Sequence, residues 1–166
     1  MKSHRPLFAV LFSILFAGTA CAQIAVYAGG SGAPVNGAGT SSAYGALVGI
    51  YAQKGVFLSI GADARASFLT RSGFHYYTGA AGPRVAFKMP VLPLRPYIEG
   101  LVGVANYNSG SNSSSSTNLN YQIVGGLDAT ILPHIDWRVI EFDYSAVANN
   151  PVNAKIFTTG LVIRLW

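Results

Sequence analysis

The side chains able to do chemistry are few, and they recur at short, regular spacings. Asp63 and Arg65 stand two apart, as do Glu141 and Asp143, while Arg84 and Lys88, Arg95 and Glu99, and Arg138 with Glu141 lie three or four apart; Asp128 and Arg164 complete the set. Paired carboxylates could act as general acid and base on a bound substrate. The same five acids and six bases could instead neutralise one another, because charge taken out of water is tolerated only when it is paired. A second constellation is His75 with Ser67, Ser72 and Tyr76 close in the chain. Hydrolysis needs a nucleophile, a base and an orienting acid within hydrogen-bond reach. The nearest acid, Asp63, is expected deeper in the fold, so His75 reads as an interfacial residue, and no catalytic residue is assigned. His134 and Asp136 supply too few ligands for a metal site. The glycine-rich residues 30–42 contain neither G-K-[ST] nor G-x-G-x-x-G, and read as a loop and not a phosphate cradle. No cofactor or metal is expected.

The elements carrying these residues alternate with period two, the signature of strands. In residues 56–69, Val56, Leu58, Ile60, Ala62, Ala64, Ala66 and Phe68 share one face, and Phe57, Ser59, Gly61, Asp63, Arg65, Ser67 and Leu69 share the other. Residues 75–88, 94–107, 119–131 and 155–166 repeat the pattern, with Arg84, Lys88, Arg95, Glu99, Asp128 and Arg164 on the polar face. In residues 135–146, Arg138 and Glu141 are three apart, so a one-residue slip near Val139 and Ile140 is needed, for which a β-bulge is the ordinary cause. Two weaker strands, 24–29 and 44–52, precede these.

Composition decides which face meets which solvent. Of 166 residues, 51% are hydrophobic and only 10% charged, yet the one long apolar run is residues 7–20. That run follows Lys2, His4 and Arg5 and ends in Ala20-Cys21-Ala22, the order of a secretory signal peptide, so residues 1–22 are expected to be removed and 23–166 to form one domain. A lipid-anchored Cys21 is the rival reading. Cleavage would remove the only cysteine, excluding a disulfide framework. Losing Lys2 and Arg5 from eleven bases leaves nine against six acids, a surplus too small and dispersed for nucleic acid. Strands with one apolar and one charged face, in a chain offering no separate greasy core, are satisfied by a closed barrel with its apolar side in lipid. A lipocalin-like binder would need the opposite facing.

Eight strands give seven connections, expected to alternate long and short, the longer being 30–42, 70–74, 106–118 and the Asn149-Asn150-Pro151 stretch. That asymmetry implies short periplasmic turns, periplasmic termini and long extracellular loops. It also sorts the outward aromatics into two girdles, Phe68, Tyr77, Tyr121, Tyr144 and Phe157 at one interface and Phe87, Trp137 and Trp166 at the other.

The chain resembles the OmpA- and OmpX-like outer-membrane β-barrel family over essentially all of residues 23–166. The resemblance is carried by Gly82-Pro83-Arg84, by Arg138-Val139-Ile140-Glu141-Phe142-Asp143-Tyr144 and by the terminal Thr159-Gly160-Leu161-Val162-Ile163-Arg164-Leu165-Trp166. It implies an all-β, eight-stranded antiparallel up-and-down transmembrane barrel. It also implies that Gly160, Ile163, Leu165 and Trp166 form a signal read by the barrel-assembly machinery, although Trp166 falls one residue out of phase with the outward side chains. The expected protein is a monomer in the lipopolysaccharide-bearing outer membrane, with a structural, adhesion or surface-interaction role. A narrow pore and a lipid-modifying enzyme are the alternatives.

Overall fold

The computed structural model describes residues 22–36, 41–71, 74–109, 116–148 and 153–165. Residues 1–21 of the expected signal peptide, with Cys21, and Ser72 and Trp166 lie outside the described residues. Eight strands, β1 (Gln23–Asn36), β2 (Ser41–Lys54), β3 (Leu58–Arg71), β4 (Phe74–Phe87), β5 (Leu94–Ser109), β6 (Ser116–Leu132), β7 (Ile135–Val147) and β8 (Asn153–Arg164), form one closed antiparallel barrel. Each strand pairs with its sequence neighbours, and β1 closes on β8 with Val26 opposite Ile163 and Gly32 opposite Phe157. Closure leaves no unpaired edge, so every strand finds its hydrogen bonds within the wall.

The facing follows the alternation. On β3, Leu58, Ile60, Ala62, Ala64 and Phe68 are exposed outside while Ser59, Asp63, Arg65, Ser67 and Leu69 are buried inside. The exposed large side chains include Ile98, Val102 and Val104 on β5, Leu119, Tyr121 and Ile123 on β6, and Leu161 and Ile163 on β8, with Trp137, Ile140, Phe142 and Tyr144 on β7. All six acidic residues of the chain are buried in the lumen. On β3 and β4 the outward apolar stretches, residues 58–68 and 77–87, match the roughly 9–11 residues with which a tilted strand crosses a bilayer.

The slip on β7 is present. Leu127 pairs with Ile140 but Asp128 with Arg138, and on the other side Arg138 pairs with Gly160 but Glu141 with Thr158. One extra residue between Arg138 and Glu141 therefore lets both point inward. A proline inside β4 is accommodated similarly: Pro83 pairs with Ala62 of β3, while the ladder to β5 is interrupted between Ala81 and Arg84, where the missing N–H would have donated.

Two expectations are corrected. The connections do not alternate long and short: β1 and β2 run through most of residues 30–42, β3 and β4 are separated only by residues 72–73, and the turn joining β4 to β5 spans 88–93. Gly, Ser and Ala give no amphipathic contrast, but strands already in register extend the backbone ladder whatever their side chains. Val56 and Phe57, expected to open β3, instead form the turn before it.

Candidate functional site

The middle of the lumen is filled by three arginines and four carboxylates contributed by five strands. Arg65 of β3 reaches Asp63 through Nε at 3.0 Å and Glu141 through Nη1 at 3.0 Å, and pairs with Glu99 through Nη2. Arg84 of β4 also pairs with Glu99, and donates to Asp128 at 3.2 Å and to the Gln53 side-chain carbonyl at 3.2 Å. Arg138 of β7 donates to Asp128 at 3.1 Å and to Glu141 at 2.8 Å. Glu99, Asp128 and Glu141 each bridge two arginines. The rigid guanidinium fork explains why the bases here are all arginine, since several carboxylates can be addressed at once.

Tyrosines knit this network to the wall. The Tyr27 hydroxyl lies 2.8 Å from both Asp63 oxygens, and the Tyr97 hydroxyl donates to Glu141 at 2.6 Å. Their rings alternate with the guanidiniums: Arg138 stands 4.0 Å from the Tyr27 ring centre and 4.9 Å from Tyr97, and Arg84 stands 3.8 Å from Tyr97 and 4.2 Å from Tyr51. Tyr27, Arg138, Tyr97, Arg84 and Tyr51 thus form an alternating cation–π series across the lumen. Two glycines make room for it, because a Cβ at Gly49 would fall on the Tyr27 phenol and one at Gly126 on the Tyr97 ring.

Separate layers lie above and below. Towards the turn end, Asp136 pairs with Arg164 at 3.0 Å and with Arg95 at 3.9 Å, and Gln23 accepts from both Arg95 and Gln53 at 3.0 Å. Towards the opposite end, Asn120 donates to Ser145 at 2.8 Å, and Tyr76 and Ser145 share a hydrogen bond at 2.9 Å. Beyond these, Ala33, Ala43, Leu69, Tyr76, Ala105, Val147, Ala154 and Ile156 form an apolar plug.

Most of the sequence-derived set converges here, with exceptions. Lys88 is exposed just past the end of β4 and does not join the network; the strand ends at Phe87, before Pro90, so the alternation that pointed Lys88 inward has already stopped. Asp143 is buried in the lumen but makes no ion pair among the described residues, and its Oδ1 has no hydrogen-bond partner. Asp136, first read only as a neighbour of His134, belongs to the interior. The three tyrosines were also missed; their inward phase, shared with Asp63 and Glu99, was the available signal.

The hydrolase-like constellation is taken apart by the wall. His75 is exposed outside, its Nδ1 3.0 Å from the Thr70 hydroxyl and its ring stacked on Tyr77 at 6.2 Å. Ser67 is buried inside, as is Tyr76. His75 and Ser67 therefore occupy opposite faces of the sheet, and Asp63 is committed to Tyr27 and Arg65. His134 is exposed in a turn, while Asp136 points into the barrel.

A closed eight-stranded wall with an apolar outside and a charged, side-chain-filled inside is the architecture of the small outer-membrane barrels. No family model matches this chain, and no curated protein sequence does. Solved structures do. Neisserial surface protein A superposes with a TM-score of 0.69 at 16% identity, covering 87% of this chain and 99% of that one. The N-terminal β-barrel domain of Pseudomonas aeruginosa OprF gives 0.60 at 15%, covering 87% and 100%. Ail, the attachment invasion locus protein of Yersinia pestis, gives 0.58 at 16%, covering 86% and 98%. The outer membrane enzyme PagL shares the fold as well, at 0.55 and 14%.

Proposed function

We propose that this protein is a non-catalytic bacterial outer-membrane barrel with a structural, adhesion or surface-interaction role. The single observation carrying the reading is the inversion of faces: every acidic side chain is inside, and the outside is a belt of bare apolar side chains. In water that belt would be a very large exposed patch; in a bilayer it is solvated. The similarity to Neisserial surface protein A, OprF and Ail supports the same location.

In this reading residues 1–22 are a signal peptide, the mature chain is a monomer, and its C-terminal strand, with Gly160, Ile163, Leu165 and Trp166, is presented to the assembly machinery. The termini and the turns at 55–57, 88–93 and 133–134 face the periplasm, and the other end faces the lipopolysaccharide leaflet and the exterior. The paired charges serve as a structural plug, which argues against a pore. The separation of His75 from Ser67 argues against a hydrolase built on that histidine, a likeness of fold to PagL notwithstanding. The test is fractionation with gel mobility before and after boiling. The expected result is outer-membrane recovery and a heat-dependent shift; recovery in the soluble periplasm without detergent would overturn the reading. In planar bilayers, conductance should be absent or small and irregular.

A further inference from the structure

The turn end of the barrel carries an apolar rim. Its turns between β2 and β3 and between β4 and β5 are tipped by Val56 and Phe57, 76% and 58% exposed, and by Val91 and Leu92, 89% and 52% exposed. These are joined, fixed turns. The Lys88 N–H donates to the Phe57 carbonyl at 2.7 Å, the Met89 N–H to Leu94 at 3.1 Å, and the Thr130 N–H, from β6, to Pro93 at 2.8 Å. The tips therefore form one surface spanning two turns and the edge of a third. Below them the rim runs without interruption into Leu58, Ile60, Phe87 and Ile131, all exposed on the outer wall.

Among the described residues, the exposed charged side chains at this rim are cationic. Lys54, at the end of β2, and Lys88 are exposed beside the apolar tips. No acidic side chain compensates them outside, because all six Asp and Glu residues are buried in the lumen. Apolar tips beside lysines that no acidic side chain faces suit the boundary between acyl chains and phosphate headgroups, where apolar groups sink and long cationic side chains reach up to phosphate. Continuity with the lipid-facing belt and complementarity to phosphate select lipid over a protein partner.

We propose that the turn end is a lipid-headgroup site: Val56, Phe57, Val91 and Leu92 insert at the acyl boundary of the adjoining leaflet, and Lys54 and Lys88 bind the phosphates of anionic phospholipids. This rests on the membrane-barrel reading. The test uses full-length protein carrying Cys21→Ser, with a nitroxide on Phe57→Cys, Val91→Cys or, as a belt control, Ile60→Cys, refolded into phosphatidylcholine vesicles containing phosphatidylglycerol. At all three positions collisions with oxygen should exceed collisions with a water-soluble nickel chelate. Lipid exposure at 60 with water exposure at 57 and 91 would overturn this inference while leaving the barrel reading intact; water exposure at 60 would overturn both. Shielding of 57 and 91 from both reagents would indicate a protein neighbour and also overturn it. With Lys54→Gln and Lys88→Gln, the preference for phosphatidylglycerol over phosphatidylcholine around the rim should fall roughly fivefold per lysine; an unchanged preference would overturn the phosphate contact.

Discussion

Asp63 and Ala64 are neighbours on β3, yet one is held by Tyr27 and Arg65 in the lumen and the other stands bare on the outer wall. The two sides of the wall reward opposite chemistry. Inside, a polar group is stable because its partners are preplaced, so the lumen is sensitive to which partner is lost. Outside, no ion pair is formed among the described residues, so the wall is sensitive chiefly to whether a side chain tolerates hydrocarbon. A methyl group and a carboxylate one residue apart should therefore fail by different mechanisms when exchanged for the wrong type.

The largest effect is expected in the lumen. Arg138→Met removes one partner each from Asp128 and Glu141 and breaks the cation–π series between Tyr27 and Tyr97, and loss of one member of a buried ion pair costs about 3–5 kcal/mol. Equilibrium refolding in lipid vesicles measures it; a loss below about 1 kcal/mol, the range of an exposed pair, would show that the interior is wet and screened. Next comes the outer wall. Ala64→Arg puts a cation on the lipid face near mid-membrane, where the cost is roughly 2–4 kcal/mol, and Ala64→Leu should be tolerated in the same assay.

Asp63→Asn sharpens the comparison further. It keeps the shape but leaves Arg65 with a weaker partner, a cost of roughly 1–3 kcal/mol set by the network and not by depth. Asp143→Asn should go the other way, neutral or stabilising, because Asp143 lacks an ion-pair partner among the described residues and an unpaired buried charge is itself a cost. A clear loss in Asp143→Asn would mean that the carboxylate has a partner in the membrane-bound protein. The smallest effect is at the exposed His75, where His75→Ala should change stability by no more than about 0.5 kcal/mol and leave membrane lipid composition unaltered.

How much of this could be read from the sequence depends on side-chain contrast. Strands β3 to β8 alternate large apolar with polar residues, so their facing is legible, and the three-residue gap between Arg138 and Glu141 marks the bulge that lets both point inward. The extents of β1 and β2 are not legible, because Gly30, Ser31, Gly32 and Ala33 look alike on either face and the ladder alone extends them. The ionic half of the site is visible as period two. The aromatic half is legible only as phase: the inward spacing of Tyr27, Tyr51 and Tyr97 can be read, but not the stacking of their rings against guanidiniums. Lys88 shows the limit of the method: the alternation is a property of the strand, and β4 ends one residue earlier.

The most direct test of the inverted barrel is a single-position scan of β3 in lipid vesicles, placing an environment-sensitive fluorophore in turn at residues 62 to 67 and reading quenching by brominated acyl chains. Strong quenching at 62, 64 and 66 with little at 63, 65 and 67 is the expected result. Equal quenching at all six positions, or the opposite alternation, would contradict the assignment of the charged face to the lumen.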